Sequence, residues 1–312
     1  MRASRGSGRV AKGITTLEVD GESIEVTHPN KLLYPDEQIG KGELVAYYRD
    51  VAPFMVPHLA GRPLTLHCFP SGIAARGYFQ KAAQEHFPAY VHRLAVAGHG
   101  GETVYAVADN APALVFLASQ NCLVFHTCHV HRDSLDRPDL VIIDLDPSDD
   151  DFAKVRHGAR LLRDLFPALG LVPFVKTTGS RGLHVVAPIH RELDCDGVSE
   201  FARKVAQYLV ACDPARFTMD INKKKRGDRV FVDYLRNGQA QTTVAPYSAR
   251  ALPCAPVAVP IGWDELDDPE TDARRWHVRN VRERLWDTGD LWRDIHSHAR
   301  SLADAAEALA NL

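Results

Sequence analysis

Asp139-Leu140-Val141-Ile142-Ile143-Asp144-Leu145-Asp146-Pro147-Ser148 decides how the rest of this chain is read. Four consecutive aliphatic residues, Leu140 to Ile143, suit a strand covered on both faces rather than half exposed. Two carboxylates follow at the strand's C-terminal end, spaced i and i+2. Strand side chains alternate faces, so Asp144 and Asp146 point the same way and can share a site. Pro147 cannot continue the ladder, which puts both carboxylates at the strand's mouth. Two like charges held so close repel unless one is protonated or a cation lies between them. A divalent metal answers that requirement. A solvated acidic turn after a buried strand answers it equally, and this stretch alone does not choose between them.

The bulk properties narrow the classes. With 312 residues the chain can bury a sizeable core, as one large domain or two small ones. Its 45% hydrophobic and 25% charged residues are ordinary for a globular protein. No stretch has the length of a membrane span, and basic, Gly/Ser-rich Met1 to Gly13 lacks the apolar region of a secretory signal. A cytoplasmic protein is expected. Cys68, Cys122, Cys128, Cys195, Cys212 and Cys254 contain no C-x-x-C pair and read as reduced thiols. The formal net charge of −3 gives no whole-protein attraction for nucleic acid, so any such binding needs local patches.

Taken in order, residues 1–13 read as a disordered tail and 14–312 as a single domain without internal repeats. Asp20-Gly21 signals a hairpin between alternating strands. Leu44, Tyr47, Tyr48 and Val51 have helical spacing, with Pro53 ending or kinking the helix. Strands are expected at 62–70, 94–96, 103–107 and 121–131, and a helix at 111–120. After the D-x-D strand, Asp149 to Asp151 form an acidic first turn for a helix over 152–169 capped by Gly170. Strands at 171–177 and 183–188, a helix at 197–211, a basic loop at 222–227 and strands at 229–235 and 242–245 complete the pattern. The segment from Asp272 reads as mostly helical. This mixture is an α/β or α+β fold.

Two further stretches join the first. Thr177-Thr178-Gly179-Ser180-Arg181-Gly182-Leu183-His184 sets a hydroxyl and a guanidinium between two glycines. The loop amides, Ser180 and Arg181 can cradle phosphate oxygens, and His184 on the following strand can face the same pocket. Val230-Phe231-Val232-Asp233-Tyr234 places a carboxylate inside an apolar strand. Such a charge is seldom buried without a partner. Either a metal shared with Asp144 and Asp146 or an ion pair with Arg229 or Arg236 supplies one.

In this order, D-L-D-P, T-G-S-R-G-L-H, V-F-V-D-Y and T-T-V-A-P-Y-S-A-R resemble the polymerase domain of bacterial DNA ligase D, within the archaeo-eukaryotic primase superfamily. The early H-P-N-K-L-L-Y-P and G-R-P segments extend the resemblance over roughly residues 14–300. It implies a primase-like fold, with two interleaved mixed sheets and the active site in the cleft between them. It also implies an end-joining polymerase adding nucleotides, NTPs before dNTPs, at gaps and double-strand breaks. Two divalent ions, Mn²⁺ or Mg²⁺, about 3.5–4 Å apart, are implied on Asp144 and Asp146, with Asp233 completing one site. By the same resemblance Thr178, Ser180, Arg181, His184, His126 and Arg250 contact the nucleotide. Lys31 and Lys41 hold a 5′-phosphate on the DNA, and Tyr78 and Phe79 stack on the template. Thr178 stands where relatives often carry serine, and Tyr78 where they often carry phenylalanine. A Ku homodimer, a separate DNA ligase and a nucleoid-associated bacterial setting are implied by family alone. No K-x-D-G nucleotidyl-transfer motif is present, so the chain reads as a stand-alone polymerase or an excised domain, with Met1 and the helical tail favouring the first.

Alternative readings come from other classes. A two-metal nuclease or phosphoesterase shares the carboxylates, but the S-R-G-L-H loop suits a triphosphate better than a diester. A catalytically silent scaffold bridging DNA ends does not need Asp144, Asp146 and Asp233 intact. Cys122, His126, Cys128, His129 and His131 raise zinc, yet their spacing fits no common closed pattern.

Overall fold

The computed structural model describes residues 13–98 and 101–312. Of the expected disordered tail, residues 1–12 lie outside the described part. The D-x-D strand runs Leu140–Pro147 and sits inside a six-stranded sheet. Its neighbours are Leu183–Pro188 and Val230–Asp233, both antiparallel to it. The sheet continues outward through Phe174–Thr177 and Pro260–Ile261 on one side. On the other side Phe217–Thr218 adds the parallel pairing that makes it mixed.

Strand parity explains where the carboxylates go. Val141, Ile143 and Leu145 join the main core, where the helices Phe152–Ala168 and Cys195–Cys212 cover the sheet. Those helices start where their caps require, with Asp151 accepting from the Ala153 amide (3.1 Å) and Asp194 from the Gly197 amide (2.8 Å). The even-numbered residues face the other way. Ile142 packs with Val186, Trp292 and Ile295 in a separate small core, and Asp144 and Asp146 continue along that same face. Burying each such aliphatic side chain is worth roughly 1.5–3 kcal/mol.

Opposite this face stands a four-stranded antiparallel sheet in the order Thr243–Val244, Cys122–Thr127, Leu64–Cys68, Tyr78–Gln80. Helices Lys41–Leu59 and Ala111–Ser119 pack together beside it. The Asp20-Gly21 turn joins Ile14–Val19 to Glu22–Thr27, as its sequence predicts.

Several elements differ from the sequence expectation. Pro53 does not end its helix, which runs through Pro53 and Pro57 to Leu59. The buried stripe Leu44, Tyr48, Val51, Met55 and Leu59 supplies tertiary packing that outweighs the lost backbone bond. Lys223–Arg226 is one helical turn rather than a loop, capped by Asn222 accepting from the Lys224 amide at 3.1 Å. After Asp272, helix is confined to Val281–Thr288, Leu302–Ala310 and a 3₁₀ turn at Ile295–His298. The reading of six reduced thiols is corrected at one pair. Adjacent antiparallel strands set Cys68 opposite Cys122 with Cα atoms 3.9 Å apart, and the two form a disulfide; Cys128, Cys195, Cys212 and Cys254 are free.

Candidate active site

Register brings the three aspartates together. Asp144 lies directly opposite Asp233 on one neighbouring strand and opposite His184 on the other. Directly paired residues share a face. Asp233, Asp144 and His184 therefore form a row across three strands, with Asp146 two residues along. Asp144, Asp146 and His184 line one wall of a cavity of about 350 Å³ whose opposite wall carries Phe79, His126, Thr243 and Val244; Asp233 sits behind them on the neighbouring strand. The cavity lies between the two sheets.

The carboxylates are under-compensated. Burial raises the Asp144 carboxyl above its ordinary range; burial, then Asp144, raises Asp146; and burial with Asp144 pushes Asp233 up to about 6. The nitrogens facing them, the neutral imidazole of His184 and several guanidinium groups, stand mostly beyond hydrogen-bond distance. His184 Nε2 is 3.6 Å from Asp144, Arg236 Nε 3.9 Å from Asp144 and Arg181 Nη2 3.6 Å from Asp146. Arg226 reaches Asp146 at 3.4 Å while its guanidinium lies 3.7 Å over the Phe231 ring. The close pair is Arg236 Nε with Asp233 at 3.0 Å, so the ion pair weighed from sequence is present. Asp233 also accepts from the Leu235 amide at 2.9 Å.

An all-oxygen set on one face suits a hard divalent ion, and carboxylates whose charge is disfavoured by burial and by one another are the donors such an ion would relieve. Among the described residues, no group of three or more His, Cys, Asp or Glu side chains is gathered closely enough to hold a metal as it stands. The backbone aligns the donors, while the side chains lean onto arginines. Release from Arg236 and Arg226 is the rearrangement that closure on an ion requires.

The glycines of the phosphate-loop motif have a direct reason. A Cβ on Gly182 would stand 2.1 Å from the Leu145 carbonyl oxygen, between the two aspartates. Only glycine lets the loop lie against the D-x-D strand. Gly179 adopts φ +63°, the left-handed region that glycine occupies without strain. Thr178 cinches the turn: its hydroxyl donates to the Gly182 carbonyl (3.0 Å) and accepts from the Ser180 (3.3 Å) and Gly182 (3.2 Å) amides. Arg250 Nη1 donates to the Thr178 carbonyl at 2.9 Å. Ser180, Arg181 and Arg250 line the cavity. His126 reaches it from the other sheet, with burial and Arg250 lowering its imidazole to about 3, so it stands neutral.

A model of the LigD primase-polymerase domain matches residues 40–292. The chain belongs to the LigD primase-polymerase domain family. It is 33% identical over 298 residues to the multifunctional non-homologous end joining protein LigD of Mycolicibacterium smegmatis, covering 92% of this chain and 39% of that protein. The bifunctional LigD of Bacillus subtilis is 27% identical over 252 residues, 80% of this chain and 40% of that protein. The chain thus spans about two fifths of the length of these curated relatives. The polymerase domain of Mycobacterium tuberculosis ligase D, solved in complex with DNA, superposes with a TM-score of 0.83 at 33% identity, over 88% of this chain and 98% of that one. The fold is the primase-like one, and LigD polymerase domains are nucleotidyltransferases, a class generally needing divalent metals and nucleotide substrates.

The other expected site residues of this LigD-type domain are a lysine pair away from the cleft and an aromatic pair at its edge, of which Phe79 lines the cavity. Lys31 and Lys41 come together, the Lys41 amide donating to the Lys31 carbonyl at 2.8 Å. Lys41 is buried rather than a solvated surface lysine; burial, then Lys31, lowers its ammonium. Its Nζ donates to Thr27 Oγ1 at 3.2 Å, and the Lys31 Nζ donates to the Pro70 carbonyl. Tyr78 and Phe79 are not core: they are 50% and 61% exposed, with Phe79 stacked on His67 at 4.1 Å. Of the possible zinc cluster, Cys122 is in the disulfide, His126 in the cleft, His131 2.9 Å from Asp133, and His129 buried behind the cleft.

Sequence reasoning missed three charged residues. Arg236 was weighed only as an ion-pair partner, and Arg226 only within a basic loop. Lys176 went unremarked inside the expected 171–177 strand. It is 1% exposed, and burial, then Arg250, lowers its ammonium to about 7. The signal was available: a lysine inside an apolar strand asks the same question that Asp233 asks.

Proposed function

We propose that this chain adds nucleotides to primer 3′-ends at gaps and double-strand breaks in DNA, NTPs before dNTPs, in non-homologous end joining or related repair. The observation that carries this reading is the pairing of Asp144 with Asp233, with Asp144 and Asp146 lining one cavity beside the Ser180–Arg181 loop. Asp144, Asp146 and Asp233 would hold two divalent ions, Mn²⁺ or Mg²⁺, which when bound acidify the primer hydroxyl and neutralise the leaving pyrophosphate. The chain's own residues do the rest. Arg181, Arg250 and the loop amides bind triphosphate oxygens with charge-assisted bonds, and Ser180 orients them. His184 and His126 are held neutral by burial and serve as hydrogen-bonding contacts rather than added charge. Thr178 acts through the loop conformation that its hydroxyl maintains. Phe79, with Tyr78, offers a stacking platform for template bases, worth roughly 1–3 kcal/mol per base. Lys31 and Lys41 are two cations held close, a point of attachment for a 5′-phosphate. Their attraction compensates for a net charge of −3. Loading by Ku, sealing by a separate ligase and a cytoplasmic, nucleoid-associated setting are part of this proposal. Among the described residues no helix is long and apolar enough to cross a membrane.

The test is extension of a labelled primer on a gapped, 5′-phosphorylated duplex with manganese and single NTPs or dNTPs. Growth that vanishes in Asp144→Ala supports the proposal; shortening points to a nuclease, and a DNA shift with neither to a scaffold. Lys31→Ala/Lys41→Ala should abolish the preference for a phosphorylated over an unphosphorylated gap. An unchanged preference removes those lysines from the phosphate site.

A further inference from the structure

The row of aspartates continues one strand further than the catalytic reading uses. Lys176 lies opposite His184, as Asp144 does from the other side. Asp233, Asp144, His184 and Lys176 therefore cross four strands on one face, two carboxylates, an imidazole and an ammonium in line. Lys176 does not end in the cleft. Its Nζ leaves the six-stranded sheet and donates to the Val244 carbonyl at 2.9 Å, in the four-stranded sheet opposite. Val244 is paired with His126 and lines both the nucleotide-sized cavity and the small cavity behind it, about 30 Å³, that Lys176 also borders.

Holding a lysine at this depth is costly, because a desolvated ammonium keeps only part of its hydration through one carbonyl. Methionine or leucine would fill the same space without that cost. A charge retained there has to act on something charged. On the near side stand the carboxylates with Ser180, Arg181 and His184; across the cleft stands His126.

We propose that Lys176 is a positioning residue that ties the two walls of the cleft at nucleotide width through its hydrogen bond behind the triphosphate site. This rests on the nucleotidyl-transfer reading. The tie sets where Val244 and His126 stand relative to Ser180 and Arg181, so its loss loosens nucleotide binding before it alters the reacting groups.

The test compares wild type, Lys176→Met and Lys176→Arg in primer extension with manganese, together with direct binding of a fluorescent nucleoside triphosphate to each protein. Lys176→Met should raise KM and the nucleotide Kd roughly 10-fold or more while kcat falls less than about 3-fold. Lys176→Arg, which keeps the cation and a donor, should recover most of that loss. If Lys176→Met does not melt cooperatively, the smaller polar Lys176→Gln is held to the same thresholds. Wild-type extension with KM and Kd unchanged in the neutral variant overturns the tie alone. A loss confined to kcat, or equal loss in the arginine variant, also overturns it. A wild type that neither extends primers nor binds nucleotide overturns the functional reading and this inference with it.

Discussion

One strand carries two kinds of buried carboxylate. Asp139, just before Leu140, meets Arg62 in a bidentate pair, with Nη1–Oδ1 at 2.8 Å and Nη2–Oδ2 at 2.7 Å. Both side chains are buried, and although burial alone pushes the Asp139 carboxyl up, the guanidinium holds it below the ordinary range. At the other end Asp144 and Asp146, with Asp233 across the ladder, also meet arginines, mostly at 3.4–3.9 Å, and all three carboxyls are raised. The same residue type at the two ends of one strand thus has opposite electrostatics. The difference lies in the partner: at Asp139 the fork matches the carboxylate, whereas at the cleft one close pair, Arg236–Asp233, serves three negative groups. A matched pair fixes structure. An unmatched cluster is what a bound cation would relieve.

The comparison can be broken at either end. The largest effect is expected on chemistry: Asp144→Asn should lower primer extension by on the order of 10³-fold or more, with metal-free stability unchanged or slightly higher because a like charge is removed. A comparable stability loss in a melting experiment would mean that Asp144 is a structural partner like Asp139. Next, Arg62→Met should cost about 3–5 kcal/mol in denaturant unfolding, since it strands a buried carboxylate, and should leave KM and kcat of the folded fraction within a few-fold. A loss of activity without a loss of stability would place Arg62 in the catalytic machinery.

The smallest effect is the pH dependence, where the two ends have opposite signs. Asp139, depressed in the folded state, contributes stability that is present above its unfolded pKa of about 3.9 and lost as pH falls through its folded value. Asp233, raised to about 6, is protonated more readily when folded. Its contribution is therefore lost as pH rises between about 4, its unfolded pKa, and its folded pKa. Metal-free protein should lose stability across that window on the way up, and Asp233→Asn should flatten the slope. A slope unchanged in Asp233→Asn would show that the cleft does not raise this carboxyl.

What was legible in the sequence was what strand parity and local chain chemistry control. Asp144 and Asp146 share a face because side chains alternate, and Gly182 was visible beside Ser180 because a loop against a strand needs a glycine. Asp233 stood out as a charge in an apolar strand. What escaped depended on segments far apart in the chain. Lys176 finds its acceptor 68 residues away at Val244, and Cys68 meets Cys122 after 54 residues. Pro53 was read as a breaker because the tyrosines and aliphatics that hold its helix act through tertiary contacts. Arg226 looked like part of a solvated basic loop until the fold turned it toward Asp146.

The most direct measurement is thermal melting of wild type, Asp144→Asn and Asp139→Asn with and without manganese. At about 100 times its Kd, an ion binding only the folded state adds roughly 2.7 kcal/mol, a rise in Tm on the order of 5 °C. Wild type should show that rise, Asp144→Asn should lose most of it, and Asp139→Asn should keep it from a lower starting Tm. An equal rise in wild type and Asp144→Asn, or none in wild type, would contradict the assignment of the cleft carboxylates as the cation site.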